Sequence, residues 1–270
     1  MMLWFLNTLV ETSLALSWAF IFVVALITGE IGYRCGRFRA SRKQASESER
    51  STIGTLVAAM VTLLAFGLGL TISFAQSRFE TRRDLVTQEA NAIGTAWLRA
   101  GFFAAPEGPQ MRVLLEEYAQ VRLDYIHAEA VAYLPTLRAR TNALQNEIWA
   151  EMTSIVGKRP DTVATSMVSA LNEMIDLSLS QRFAFANRVP IYLMWTILGG
   201  SLLSIGAMKF QFGIAGARQP TLTALLLFMW TGAIILIVDL NRPRLGWITV
   251  DPSPLIWTIQ GFGSGTPPAK

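Results

Sequence analysis

Apolar residues gather along this chain into four blocks, each close to the 20 or so residues with which a helix crosses roughly 30 Å of hydrocarbon. The first block runs from Ser13 to Tyr33 and meets Arg34 as its interfacial stop. The second covers Thr52 to Gln76 and holds no ionisable residue. Pro190 introduces the third, which Lys209 closes, and the fourth extends from Thr221 to Leu240. Residues 34–50 between the first two blocks are polar and basic and read as a surface loop. A short link, 209–220, joins the third block to the fourth.

Between the second and third blocks the pattern changes to helical periodicity in a polar background. The helix of the second span continues outward, since no Pro or turn cluster intervenes before Pro106. Gly108 and Pro109 start a helix whose Leu114, Tyr118, Val121 and Tyr125 form one apolar stripe. Beyond Pro135, residues Leu137, Leu144, Ile148, Met152 and Ile155 predict a further helix ending near Gly157. Asp161, just after Pro160, is placed to cap a last helix carrying Val163, Met167, Ala170, Met174 and Leu177. The expected fold is therefore an all-α membrane protein with four transmembrane helices and a helical extramembrane domain between the second and third. Its parts are an N-terminal segment with spans 1 and 2 (1–76), the helical domain (77–188), spans 3 and 4 (189–240) and an extramembrane tail (241–270). The tail is rich in Pro and Gly near its end and reads as extended there, with Trp247 and Trp257 suited to a membrane interface.

Composition agrees with a lipid environment: 52% of the 270 residues are apolar and 16% charged, against about 25% charged in soluble domains. Met1 to Val10 has no basic residue before it and makes a poor signal peptide. A net charge of +4 raises nucleic acid as a partner, but the basic residues are dispersed and none is expected. The bilayer is the expected partner, for a multi-pass protein of the cell (inner) membrane. Cys35 is the single cysteine and His127 the single histidine, so disulfide, metal and Ser-His-Asp chemistry lack parts, and neither cofactor nor enzymatic activity is expected. The loops 34–50 and 209–220 carry Lys and Arg that place the helical domain outside the cell, whereas counting the domain's flanks and the tail gives a tie. Charge alone does not orient the chain.

The second span holds the pattern of most functional interest. At about 100° per residue, Thr62, Phe66, Gly69, Leu70, Ser73 and Ser77 share one third of the helix circumference. Around an axis shared by several copies, Phe66 and Leu70 would form a constriction and Ser73 and Ser77 a wetter vestibule. Ala65, Gly69, Ser73 and Ser77 also form a small-residue stripe, and by pattern alone close helix packing is the better account. Glu30 and Asp239 lie near span ends, where such groups can mark an ion path. Glu30 can equally pair with Arg34, and Asp239 with Arg242 or Arg244 in a structural role tying down the tail.

Three segments, EANAIGTAWLRA (89–100), LNEMID (171–176) and DLNRPRLGWITVDPSPL (239–255), resemble the prokaryotic bestrophin-like membrane family. Within the second span, Leu68, Gly69, Ser73, Arg78, Phe79 and Arg83 match a run of the bestrophin channels. This resemblance implies a pentameric ion channel with Thr62, Phe66 and Leu70 at the pore neck and chloride or another small inorganic ion as the permeant species. Leu70 stands where a Phe is usual, and Glu80 is one place early. After the fourth span Asp239, Pro243 and Gly246 keep the outline of a bestrophin acidic run, but Asn241 and Arg242 replace acidic residues, which argues against a calcium clasp. Bestrophins keep the helical domain in the cytoplasm, the reverse of the short-loop charge count. The resemblance moves the second span from packing toward pore lining, with self-association into a ring. The competing reading is a non-conducting membrane scaffold or sensor whose helical domain binds a partner; a monomer or dimer would favour it, and a ring the channel.

Overall fold

The computed structural model describes residues 13–42, 46–128 and 131–263, and these fold into helices α1 (Leu14–Arg42), α2 (Glu47–Ala100), α3 (Glu107–His127), α4 (Leu134–Lys158), α5 (Thr162–Ala186), α6 (Ile191–Ala215), α7 (Pro220–Leu240) and α8 (Ser253–Gly261). By length and composition α1, α2, α6 and α7 are each able to cross a membrane. Met1 to Val10 lies outside the described residues. The chain forms two units: one contains the segments up to Ser77, Arg188–Arg242 and Gly246–Ile248, the other Arg78–Asn187, Pro243–Leu245 and the residues from Thr249 onward.

In the first unit α1 packs on α6 through glycines. A Cβ on Gly32 would strike the Gly206 carbonyl, one on Gly36 the Phe210 carbonyl, and one on Gly213 the Tyr33 carbonyl. Backbone meets backbone here, which is how small residues drive close helix association in lipid. Trp18 of α1 donates from Nε1 to Thr231 Oγ1 of α7 (3.0 Å) and sets its ring edge-on to Phe228. Trp230 of α7 donates in turn to Ser201 of α6 (3.0 Å). Both indole N–H groups thus find an acceptor inside the unit, as lipid requires.

This packing corrects two expectations. The surface loop 34–50 is largely helix, because Gly36 still belongs to the α1–α6 seam and Arg39 pairs with Glu49 (2.9 Å) across the connection to α2. Arg34 stops a lipid-facing stretch, not a helix. Lys209 likewise does not end α6: it is buried and donates to Thr223 Oγ1 of α7 (3.3 Å), so the helix runs on through most of the link 209–220. In the tail, residues 253–261 form α8, and the end expected to be extended, 264–270, lies outside the described residues.

Gly246 and Asp239 make a latch between the end of α7 and the chain beyond it. Asp239 Oδ1 accepts the Trp247 amide (3.0 Å) and Oδ2 the Ile248 amide (3.2 Å). Gly246 has φ +147°, and a Cβ there would collide with Asp239 Oδ1, so this position requires glycine on two counts. The tail is held by backbone amides, with the Arg242 guanidinium in electrostatic reach of the same carboxylate. Asp239→Ala leaves both amides without their acceptor and is expected to cost about 1–3 kcal/mol, with Asp239→Asn intermediate. Thermal unfolding in mild detergent checks the order.

The second unit is a helical core built on the far half of α2. Val86, Ala90, Ile93, Ala96, Trp97 and Ala100 are buried at helical spacing, against Met111, Leu115 and Tyr118 of α3, Leu144, Ile148 and Met152 of α4 and Met167, Leu171 and Met174 of α5. The stripes expected of α3, α4 and α5 are thus the core, Leu114, Leu137, Val163 and Leu177 lying at its margin. Pro135 sits in the first turn of α4, and the Asp161 carboxylate accepts the Ala164 amide (2.9 Å) as the α5 cap. That hydrogen bond, with Arg159 beside it, lowers the Asp161 pKa. From α8, Leu255 is fully buried and Thr258 donates to the Ala90 carbonyl (3.3 Å), while Phe262 stacks on Trp97 at 5.2 Å. The conspicuous segment 89–100 therefore serves as the bed for α8.

One polar network crosses this core. Glu89 of α2 takes a bidentate contact from Arg122 of α3 (2.6 and 3.1 Å), and Arg122 also donates to Gln181 of α5. Burial opposes the guanidinium charge, but the adjacent Glu89 carboxylate outweighs it and raises the Arg122 pKa. Burial, reinforced by the same carboxylate, pushes the Tyr118 hydroxyl up to about 12, so it stays protonated and receives a hydrogen bond from Gln145. Arg82, also buried, donates to the carbonyls of Ala184 and Asn187 (both 3.1 Å) and so satisfies the end of α5.

Candidate functional site

Between Glu47 and Ser77, α2 shows three faces. Val57, Leu68, Thr71 and Ala75 are buried and mark the side that packs into its own unit, where Leu64 reaches toward Gly200 of α6. Nearly opposite, at roughly 100° per residue, lie Thr55, Thr62, Phe66, Gly69, Ser73 and Ser77, all exposed. A third arc, Leu56, Leu63, Leu70 and Phe74, is exposed and wholly apolar, with Leu70 where the last two arcs meet.

All six residues singled out in the second span therefore fall on surface that their own protomer leaves uncovered. Phe66 is 65% exposed and Leu70 45%, and a Cβ added to Gly69 would meet nothing within 4 Å. The small-residue stripe Ala65, Gly69, Ser73 and Ser77 is exposed along its length. Inspection of the chain passed over Thr55, two turns before Thr62, which extends the hydroxyl line; the same 100° projection carried further toward the N-terminus would have found it. Apolar Leu63 and Phe74 of the neighbouring arc bear no chemical mark and become informative only once burial is known.

The charged candidates are dispersed. Glu30 accepts from Arg34 one turn on (2.9 Å) and from Arg218 (3.4 Å), the second partner being 188 positions away and invisible to local spacing. Asp239 is taken up by the latch. Arg83 lies 3.8 Å from Asp84 with both side chains exposed. Arg78, partly buried, has an Nη1 without a hydrogen-bond partner. Among the described residues no group of His, Cys, Asp and Glu is assembled to hold a metal ion.

The Bestrophin-like domain matches residues 19–255. This chain belongs to the bestrophin-like family. Solved structures carry the same fold at low identity. A bacterial bestrophin homologue from Klebsiella pneumoniae with a single substitution has a TM-score of 0.65 at 16% identity, over 93% of the bestrophin-like chain and 95% of the homologue. A second variant of that protein gives 0.68 at 14% identity over 93% and 99%, and the homologue solved by zinc phasing gives 0.63 at 17% over 92% and 96%. No curated protein matches the sequence. The matched region of this bestrophin-like chain begins inside α1, takes in α2 to α7 and ends inside α8.

Proposed function

We propose that this protein is a homo-oligomeric, pentameric ion channel, passively conducting chloride or another small ion through a pore lined by α2. Bestrophins are ion channels, and the family assignment gives the reading its starting point. The observation that carries it is the uncovered face of α2. Thr62, Phe66, Gly69, Ser73 and Ser77 combine hydroxyls, a glycine and one aromatic ring, a poor surface to offer lipid and a suitable one for a narrow wet path. Phe66 and Leu70 form the constriction, Thr62 continues the neck on one side, and Ser73 and Ser77 supply hydroxyl donors on the other. The apolar arc of Leu63 and Phe74 is left for lipid or for the adjacent copy.

Purified protein in planar bilayers tests the proposal directly, since a protein that passes no current refutes it. A second test separates pore lining from close packing between copies. Gly69→Ala is expected to leave the oligomer intact and to strengthen the helix by up to about 1 kcal/mol. Dissociation of the Gly69→Ala oligomer in native mass spectrometry would instead assign the stripe to a helix–helix seam, as a scaffold would use it.

The glycine seam allows a complementary check on the unit itself. Gly32→Leu or Gly36→Val, each forcing α1 off the α6 backbone, is expected to lose most of the folded protein recovered in detergent. Gly67→Ala, where a Cβ meets nothing within 4 Å, is expected to be recovered normally.

A further inference from the structure

Helices α3, α4 and α5 of the helical unit leave between them a recess of about 160 Å³. Arg122 and Tyr125 of α3, Arg138 and Asn142 of α4 and Arg182 of α5 stand around it, and among the described residues no carboxylate lines it. Arg244 touches the same tyrosine: its guanidinium lies 4.6 Å from the centre of the Tyr125 ring, with Arg122 at 4.8 Å, and its Nε donates to the Tyr125 carbonyl (3.3 Å). Two guanidiniums thus flank one tyrosine, and those of Arg138 and Arg182 line the same recess. Glu89 compensates Arg122 alone, and no ion pair involves Arg138, Arg182 or Arg244 among the described residues.

The donors around the recess are also incompletely used. Tyr125 is 1% exposed, and its hydroxyl lies near the Arg244 guanidinium without a well-formed hydrogen bond; the buried Nε of Arg138 and the buried Nη2 of Arg244 likewise have no partner of good geometry. Buried polar groups are rarely left in this state, and several cations gathered without counter-charge repel one another. Burial pushes the Arg244 pKa down; the Tyr125 oxygen opposes the shift, and the nearby Arg138 and Arg122 add to it. By contrast, Gln145 and Ser178 in the same wall are engaged, Gln145 donating to Ser178 (2.8 Å) and Ser178 to the Ile175 carbonyl (2.7 Å), so they give the recess a fixed side.

We propose that this recess binds a small soluble oxyanion bearing a carboxylate or phosphate-type group, held by Arg138 and Arg182 with the Tyr125 hydroxyl as a neutral donor. Planar guanidiniums present paired N–H groups that match two oxygens of one anion, which distinguishes such a ligand from a monatomic halide. The volume accommodates a single compact anion. The site lies within the helical unit and stands whether or not α2 conducts.

Calorimetric titration of inorganic phosphate, and separately of acetate, into the full-length protein in lipid-free non-ionic detergent tests it. Saturable binding of at least one is expected. Arg138→Gln and Arg182→Gln should each weaken it about ten-fold, the loss of one charge-assisted contact. Tyr125→Phe, which keeps the ring and removes only the hydroxyl, should weaken it several-fold, and Arg50→Gln on the exposed start of α2 should leave it unchanged. Absence of saturable binding by both anions, equal binding by Arg138→Gln and Tyr125→Phe, or an identical response to sodium chloride at matched ionic strength overturns the proposal.

Discussion

Replacing Phe66 with alanine is expected to raise ion flux through the reconstituted protein several-fold at the same driving force. A ring of phenyl groups around a narrow axis excludes water, and an ion must shed its hydration to pass; methyl groups widen and wet the same level. The protomer should tolerate the change, because Phe66 is largely exposed and contributes little to its own unit, and substitutions at such positions usually stay within about 0.5 kcal/mol. Leu70→Ala should act in the same direction but more weakly, as that side chain sits at the border with the apolar arc. Leu68→Ala provides the contrast: Leu68 is buried against the protomer, so its loss should reduce stability by about 2–5 kcal/mol while flux per folded channel stays unchanged. Flux indifferent to Phe66→Ala would remove the constriction from α2.

Breaking the Glu89–Arg122 pair is expected to have the largest effect on stability. Neither side chain is more than 3% exposed, and removing one partner strands the other's charge in the core at a cost of about 3–5 kcal/mol. Glu89→Gln leaves the guanidinium with neutral acceptors only, and Arg122→Met leaves the carboxylate with none of its two N–H donors. The double variant should cost markedly less than the sum of the singles, because no unpaired charge remains. Denaturant unfolding of the purified protein, followed by circular dichroism, measures all three. Additive losses would show that the two groups act independently.

Hydropathy made the four membrane-length helices legible, because crossing a bilayer demands apolar length whatever the tertiary structure. The core stripes of α3 to α5 were legible as well, and Asp161 after Pro160 announced its cap. Other features needed the fold. Glu89 and Arg122 are 33 positions apart and resemble ordinary surface charges until α2 and α3 come together. Lys209 looked like a helix terminus because a lysine at the end of an apolar run normally reaches water; here Thr223 accepts from it inside the unit. Gly29 and Gly32 fell inside the first span, yet Gly36, the next glycine of the same strip, stood between Arg34 and Arg37 and so read as loop. As for the α2 face, its membership was visible as a helical stripe, but whether its own protomer covered it was not. Tyr125 was read as one of four stripe residues; nothing local showed that its hydroxyl would be left without a well-formed hydrogen bond.

The α1–α6 seam constrains how the first unit can deform. Carbonyl oxygens fill the space where side chains would otherwise cushion a slide, so an axial shift of one helix along the other would drive Tyr33 or Phe210 into opposing backbone. The two helices should move as a single stave. Any widening or narrowing of the α2 face must then be absorbed on the opposite side of α2, where Leu64 and Gln211 fill the gap with side chains able to change rotamer. Stiffening those two contacts, and not the glycine seam, is where a locked-shut or locked-open form of the protein would be sought.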